Sequence, residues 1–488
     1  MKLRRECQSS VRWGYAKVGD VVEESQSFEA CLAYDSNQCG VATVPSSHYS
    51  SQTVCASDSP LDCQTTEHGD GVDGADVLIY VTHVSSPTCS LIPGAPSHAE
   101  FCKVDQKGRP VAANLNFCPG TFTTDASERS ALLASTVRSV LHALVFDKRL
   151  IPDFVDAEGT GERWPDPLVE SFGSGRKQVT LRTGAAMAAA RSHFGCEELQ
   201  GLEVENSNKF NNMLLLEERV FHGEAMSSGA TRYREGLVFS ELTYAVVKDT
   251  GWFELVPGSA HAAKTLTFGR LGGCLGATGI CDPTTGAPPL HSGLCSSDNS
   301  ELRSSPSIDQ DQIDGLELTS CTFDFRQVGT CAAADDMDGC KIVEPGQISC
   351  SSSVDALQES SGVYHEMAKR GWTFGENGGC VSSTLSRRKL GDSSLMWQAS
   401  GSECHEMKCQ AVVESGQRLQ GLFVKVQNGT LASWVRCPSG AALGLEEFGF
   451  LGPGALLCPD NAEACGVLGT CPNGCSGRGN CVDSKCEW

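Results

Sequence analysis

The sequence predicts an α+β protein whose last part is a disulfide-rich mixture of strand and coil. Three observations carry this. A short β-branched run, Val77 to Val81, reads as a buried strand. A segment with apolar residues at helical spacing follows at 129–146. Of the 26 cysteines, 17 lie from Cys274 onward and none lies in 119–195, so the middle of the chain depends on an apolar core.

The strand run is bounded by Gly74 and Pro87. In 129–146 the apolar positions are Leu132, Leu133, Val137, Val140, Leu141 and Leu144, with Asp125 and Ser127 as candidate caps. Arg138, Ser139 and His142 fall together on another stripe of that helix. Residues 185–191 are alanine-rich, and 238–247 carry helical apolar spacing before Gly251. Residues 292–320, rich in serine and aspartate, read as a long loop or linker. Arg387, Arg388 and Lys389 form the strongest basic run and read as an exposed loop, open to nicking. Asn428-Gly-Thr430 is a glycosylation sequon suited to an exposed turn. Four consecutive segments are expected: 1–147, 148–273, 274–464 and 465–488.

At 488 residues, with 40% hydrophobic and 20% charged residues, the chain has ample material for a core. A net charge of −22 argues against nucleic acid and anionic membrane as partners. No run of 18 apolar residues suggests a transmembrane helix. The cysteines are even in number and lack zinc-finger spacing, which favours a disulfide framework and an extracellular or secretory location. Residues 1–7 show no apolar stretch of a signal peptide, and the expectation that reconciles the two is a chain lacking its natural start. No terminal hydrophobic tail of a lipid-anchor signal is visible either.

Residues 138–146 read RSVLHALVF, which resembles the HExxHALGF helix of leishmanolysin-type zinc metallopeptidases. His142, Ala143, Leu144 and Phe146 match, while Arg138 stands for the first histidine, Ser139 for the glutamate and Val145 for the glycine. The resemblance runs from about Cys39 to Cys458, through blocks at 75–82, 108–116, 192–196, 201–205, 249–252 and 268–274. It implies a zincin-like amino-terminal and central region, zinc as the family's cofactor and endopeptidase activity. Anchoring on Arg219, Glu224 and Met226 puts Leu215 where the third histidine belongs and Met226 at the methionine turn. Residues 331–350 and 404–409 resemble the family's disulfide-tied carboxyl-terminal domain, and 471–486 part of an EGF-like module.

The chemistry argues against a working site. Two histidines four apart on a helix share one face and reach one metal, with the glutamate as general base. Arginine has no lone pair to donate and keeps its charge. Serine cannot take a proton as a carboxylate does. His142 alone is left, and it is expected to be a packed core histidine without zinc. None of the eleven histidines has another four residues later; His365-Glu366 and His405-Glu406 lack a second histidine, and His222 reads as a loop residue. Val145 replaces a glycine expected to let the chain turn after the helix. If the alignment holds, Arg138, His142, Leu215 and Met226 should share one cleft, with Glu205 or Glu224 beside Arg138. The strand 110–117, with Val111, Asn114 and Asn116, is expected to be a sheet edge able to hold an extended peptide. The reading is therefore a secreted, inactive pseudopeptidase acting in binding or cell adhesion, with a protein or peptide partner. The alternatives are an active zinc endopeptidase and a drifting paralogue or faulty gene product.

Overall fold

The structure is a computed structural model of the chain. It describes residues 1–3, 7–13, 28–34, 37–51, 53–55, 63–65, 69–91, 95–121, 126–173, 176–206, 212–229, 238–254, 256, 266–270, 272–278, 281, 319–333, 337–351, 363–375, 377–389, 392–399, 401–414, 417–429, 431–451, 454–459, 461, 464–465, 480–482 and 485–487. The candidate cap Asp125, nearly all of 292–320 and most of the EGF-like segment lie outside them. The chain forms two compact units. The first comprises Met1–Leu168, Asn208–Leu215 and Val246–Glu254, and the second Val169–Ser207, Leu216–Ala245 and Leu255–Trp488. Each unit is discontinuous along the chain, so the borders expected at 147 and 273 do not coincide with theirs.

The first unit carries a sheet of β1 (Leu78–Thr82), β2 (Ser97–Val104) and β3 (Pro110–Phe117). The order is β1-β3-β2, with β3 parallel to β1 and antiparallel to β2. The edge-strand expectation for 110–117 is thus corrected. β3 is central and its main chain is paired on both sides, and among the described residues β1 and β2 are the edges. Sequence periodicity shows that a strand exists but not its neighbours, and the near-continuous burial of β3 is the mark of a central strand. Val111 and Ala112 join Leu3, Val44 and Tyr49 in an apolar cluster. Asn114 and Asn116 are buried because their amides are fully used. Asn114 Nδ2 donates to Tyr80 O (2.8 Å) and Thr82 Oγ1 (3.0 Å), and its Oδ1 accepts from Val41 N (3.2 Å). Asn116 Nδ2 donates to Val84 O (2.8 Å), and its Oδ1 accepts from Thr82 Oγ1 (2.9 Å) and Val84 N (3.0 Å).

Helix α1 (Ala126–Leu144) packs on β2 and β3. Its inward face is not the apolar stripe that the spacing suggests. Leu133 is 65% and Val137 39% exposed, whereas Ser139, His142 and Ala143 are buried. The polar stripe faces inward, which is the orientation of a helix that presents ligands.

In the second unit β4 (Arg176–Leu181) pairs antiparallel with β5 (Leu202–Val204). Between them α2 (Gly184–Phe194) ends on Gly195 at φ 67, a left-handed position suited to glycine. The short helix α3 (Glu218–Phe221) and α4 (Glu241–Asp249) follow; the last residues of α4 belong to the first unit. The carboxyl-terminal part contains β6 (Gly378–Ser383), β7 (Ser386–Lys389), β8 (Gly401–Glu414), β9 (Gln417–Asn428) and β10 (Leu431–Cys437). A six-stranded sheet runs β10-β9-β8-β6, then Leu456–Leu457 and Ala442–Leu443. Its core gathers Val381, Leu385, Met407, Leu422, Val424 and Phe450.

Disulfides staple both units. Cys39–Cys102, Cys55–Cys63 and Cys89–Cys118 lie in the first. Cys196–Cys274, Cys281–Cys340, Cys321–Cys380, Cys350–Cys404, Cys409–Cys465 and Cys437–Cys458 lie in the second. No cysteine is free among the described residues.

The basic run is the clearest misreading. Arg387 lies in β7 at 2% exposure and pairs with the fully buried Glu403. A cation can be buried when a carboxylate meets it, and no local pattern reveals that partner. The sequon Asn428, ending β9, is half-buried and donates through Nδ2 to Phe448 O (3.2 Å). Among the described residues no helix is long and apolar enough to cross a membrane.

Candidate functional site: the altered metal helix

The polar stripe of α1 meets β2. Ser139 Oγ donates to Ser97 O (3.1 Å) and shares a hydrogen bond with Ser97 Oγ (3.0 Å). Ser139, expected at the general-base position, is therefore neutral and already engaged. His142 Nδ1 donates to Phe146 O (3.1 Å), which fixes the tautomer and leaves the lone pair on Nε2. That Nε2 is buried with no hydrogen-bond partner among the described residues. Burial, then the nearby positive charge of Arg138, pushes the His142 pKa down to about 3 against the Phe146 carbonyl. The imidazole is neutral at physiological pH. Arg138 itself is half-buried.

Val145 needs no glycine. Its φ is not positive, and the helix closes with Val145 N and Phe146 N both on Leu141 O (2.8 and 2.9 Å). Phe146 O accepts from His142 and also from Leu214 N (2.9 Å), so 212–215 returns beside the end of α1. Leu215 is fully buried there. Met226 is also fully buried, and its carbonyl accepts from Leu216 N (2.9 Å).

His222 lies in the turn that ends α3, in keeping with the loop reading, but it is buried rather than exposed. It is 1% exposed, packs against the rings of Phe268 (5.3 Å) and Phe323 (4.8 Å), and bonds through Nδ1 to Glu218 Oε1 (2.5 Å). Burial opposes ionisation of Glu218, but His222, Ser227 and Gly229 together hold its pKa below the usual value. The spacing of four residues along one turn was the available signal. Glu224 is engaged as well, accepting from Thr243 Oγ1 (2.5 Å) and Ser240 N (3.2 Å). Burial lifts its pKa to about 7.

One further group of ligand-type residues lies in the first unit. Cys89, His98 and Cys118 come together, but the two sulfurs form a disulfide and offer no thiolate. His98 Nε2 bonds Ser86 Oγ (2.8 Å) and Asn116 Nδ2 (3.3 Å).

This chain belongs to the leishmanolysin family of metallopeptidases: the family's model matches residues 48–469. It is 30% identical over 306 residues to leishmanolysin-like peptidases of Caenorhabditis briggsae and Caenorhabditis elegans, covering 56% of this chain and 44% of each relative. It is 21% identical over 453 residues to a ciliated left-right organizer metallopeptidase of Danio rerio, covering 90% of this chain and 62% of that protein. The chain thus spans less than half the length of the two Caenorhabditis relatives.

Of the residues expected at the metal positions, His142 alone offers a lone pair; the Arg138 guanidinium, the Ser139 hydroxyl bound to Ser97 and the buried Leu215 do not suit zinc.

Proposed function

We propose that this protein is a catalytically silent leishmanolysin homologue that acts by binding, in an oxidising, extracellular or secretory compartment. The observation that carries the reading is Ser139. The general-base position holds a neutral hydroxyl that is hydrogen-bonded to β2, so nothing there activates water. Arg138 beside His142 adds a positive charge where a dication would sit. The disulfide load supports the compartment. A protein or peptide remains the proposed partner class, but strand addition to the sheet of the first unit has β1 or β2 to use, because β3 is paired on both sides.

The expected outcome is less than 0.1 zinc per chain and no chelator-sensitive peptide cleavage (roughly a tenfold margin below a filled four-ligand site). Near-stoichiometric zinc with chelator-sensitive proteolysis overturns the reading. The combined variant Arg138→His, Ser139→Glu, Leu215→His should gain zinc affinity in the micromolar range or tighter, on the order of structural expectations for three protein ligands. Arg138→His alone should gain little, because two imidazoles leave zinc under-coordinated.

A further inference from the structure

The second unit gathers carboxylates that the reading above does not use. Glu203 lies on β5, Glu217 caps α3, and Asp338 sits in the turn before Cys340. One oxygen of each lies within 4.8 Å of the others. Two guanidiniums answer them. Arg176 reaches Glu203 (2.6 Å) and Asp338 (2.7 Å), and Arg219 reaches Glu203 (3.0 Å) and Asp338 (3.6 Å). Among the described residues three carboxylates are set against these two guanidiniums, which leaves surplus negative charge in a largely buried place.

Glu217 points to what balances them. It is 1% exposed, and its Oε1 accepts from Arg219 N (3.4 Å). Its Oε2 has no hydrogen-bond partner among the described residues. A buried carboxylate oxygen without a donor costs free energy unless a proton or a cation meets it. All candidate donors are oxygens, which suits a hard cation. Calcium holds its ligands at about 2.3–2.6 Å, so oxygens up to roughly 5 Å apart share one ion; magnesium needs them within roughly 4.2 Å. The Asp338 side chain is 25% exposed, which gives the ion and its remaining water ligands a route from solvent.

We propose that Glu203, Glu217 and Asp338 form a structural binding site for one calcium-sized divalent cation. The ion supplies the charge that Arg176 and Arg219 leave unmatched and joins β5, α3 and the turn at Asp338. The site is independent of the altered metal helix and implies no catalysis.

The test uses the full chain, stripped with chelator and titrated with calcium chloride by calorimetry, with melting followed in parallel. One calcium per chain is expected, with a dissociation constant on the order of 10⁻⁴–10⁻³ M or tighter and a rise in Tm. Glu217→Gln should weaken binding at least tenfold (on the scale of a lost charged ligand). Asp338→Asn, at the exposed side, should weaken it similarly and decides the matter if the buried variant does not fold. Absence of binding heat with identical melting in calcium and chelator overturns the proposal, as does wild-type affinity in both variants. A Glu217→Gln protein that melts higher than the wild type, whose own melting ignores calcium, shows instead that a proton closes the site.

Discussion

His142 on α1 and His405 on β8 are nearly the same local arrangement in different settings. Each is buried, each donates from Nδ1 to a main-chain carbonyl, Phe146 O (3.1 Å) or Lys425 O (3.0 Å), and each leaves Nε2 without a hydrogen-bond partner. Burial, then a neighbouring arginine, pushes both pKa values down to about 3. The surroundings differ. Around His142, Ser139 bonds Ser97 as a neutral pair and the positive charge of Arg138 stands close by. Beside His405, Glu403 Oε2 stands 3.6 Å from Nε2 and accepts from Ser383 Oγ (2.5 Å), while Glu403 Oε1 pairs with Arg387. A free imidazole nitrogen is therefore no mark of a lost metal, since it recurs on a strand with no metal motif. What distinguishes α1 is its resemblance to the family's metal motif, with Ser139 paired to Ser97 where that motif carries a glutamate.

The comparison can be broken in several ways. The largest effect should come from reduction. Each removed bridge typically costs roughly 2–5 kcal/mol, and the second unit holds six of the bridges described above against three in the first. Hydrogen exchange under reductant should rise in β6–β10 before it rises in α1; the reverse order refutes the expectation. Next, Arg387→Ala leaves Glu403 buried without its cation and should destabilise by about 3–5 kcal/mol, read by chemical denaturation. A loss under 1 kcal/mol (well below that range) would mean the charge at His405 matters no more than the neutral pair at His142.

Glu224 gives a pH signature of intermediate size. Its folded pKa, about 7, lies above the usual 4.5. The protonated carboxyl therefore contributes stability that is fully present below pH 4.5 and lost as pH rises through 7, up to about 3 kcal/mol. The melting temperature of Glu224→Gln relative to the wild type should rise between pH 4.5 and about pH 8, from the unfolded value to roughly one unit above the folded one. The histidines act oppositely: with folded values near 3 against 6.5, their stability is present above 6.5 and lost as pH falls towards 3. A constant difference across the range would show that Glu224 ionises freely. The smallest effect belongs to Ser139→Ala, which removes a neutral hydrogen-bonded pair and should cost about 1 kcal/mol. A loss several times larger would place a hidden charge at the helix.

Several of these features were legible in the sequence. The strand at 78–82, the helix ending at Leu144 and the cysteine framework follow from periodicity and spacing. The departures from the family's motif at 138 and 139 are read from the sequence itself, and the expectation for Leu215 rests on anchoring at Arg219, Glu224 and Met226. What failed depends on neighbours distant in sequence. β3 is central because β1 and β2 both find it, and local pattern does not give strand order. Leu133 and Val137 look like core by spacing, yet the polar stripe turns inward. Arg387 and His222 are charged or titratable groups whose partners, Glu403 and Glu218, make their burial possible.

The disulfide pairing has a consequence for how damage to this chain would be seen. Cys321 lies inside the loop closed by Cys281–Cys340, and Cys350 inside the loop closed by Cys321–Cys380, while Cys350–Cys404 carries the overlap further. Every peptide bond from 281 to 404 is thus enclosed by at least one covalent ring, and Cys437–Cys458 is nested within Cys409–Cys465. One cut by a protease anywhere in these spans releases no fragment. On a gel without reductant the molecule keeps its full mass, and the break shows only when the rings are opened.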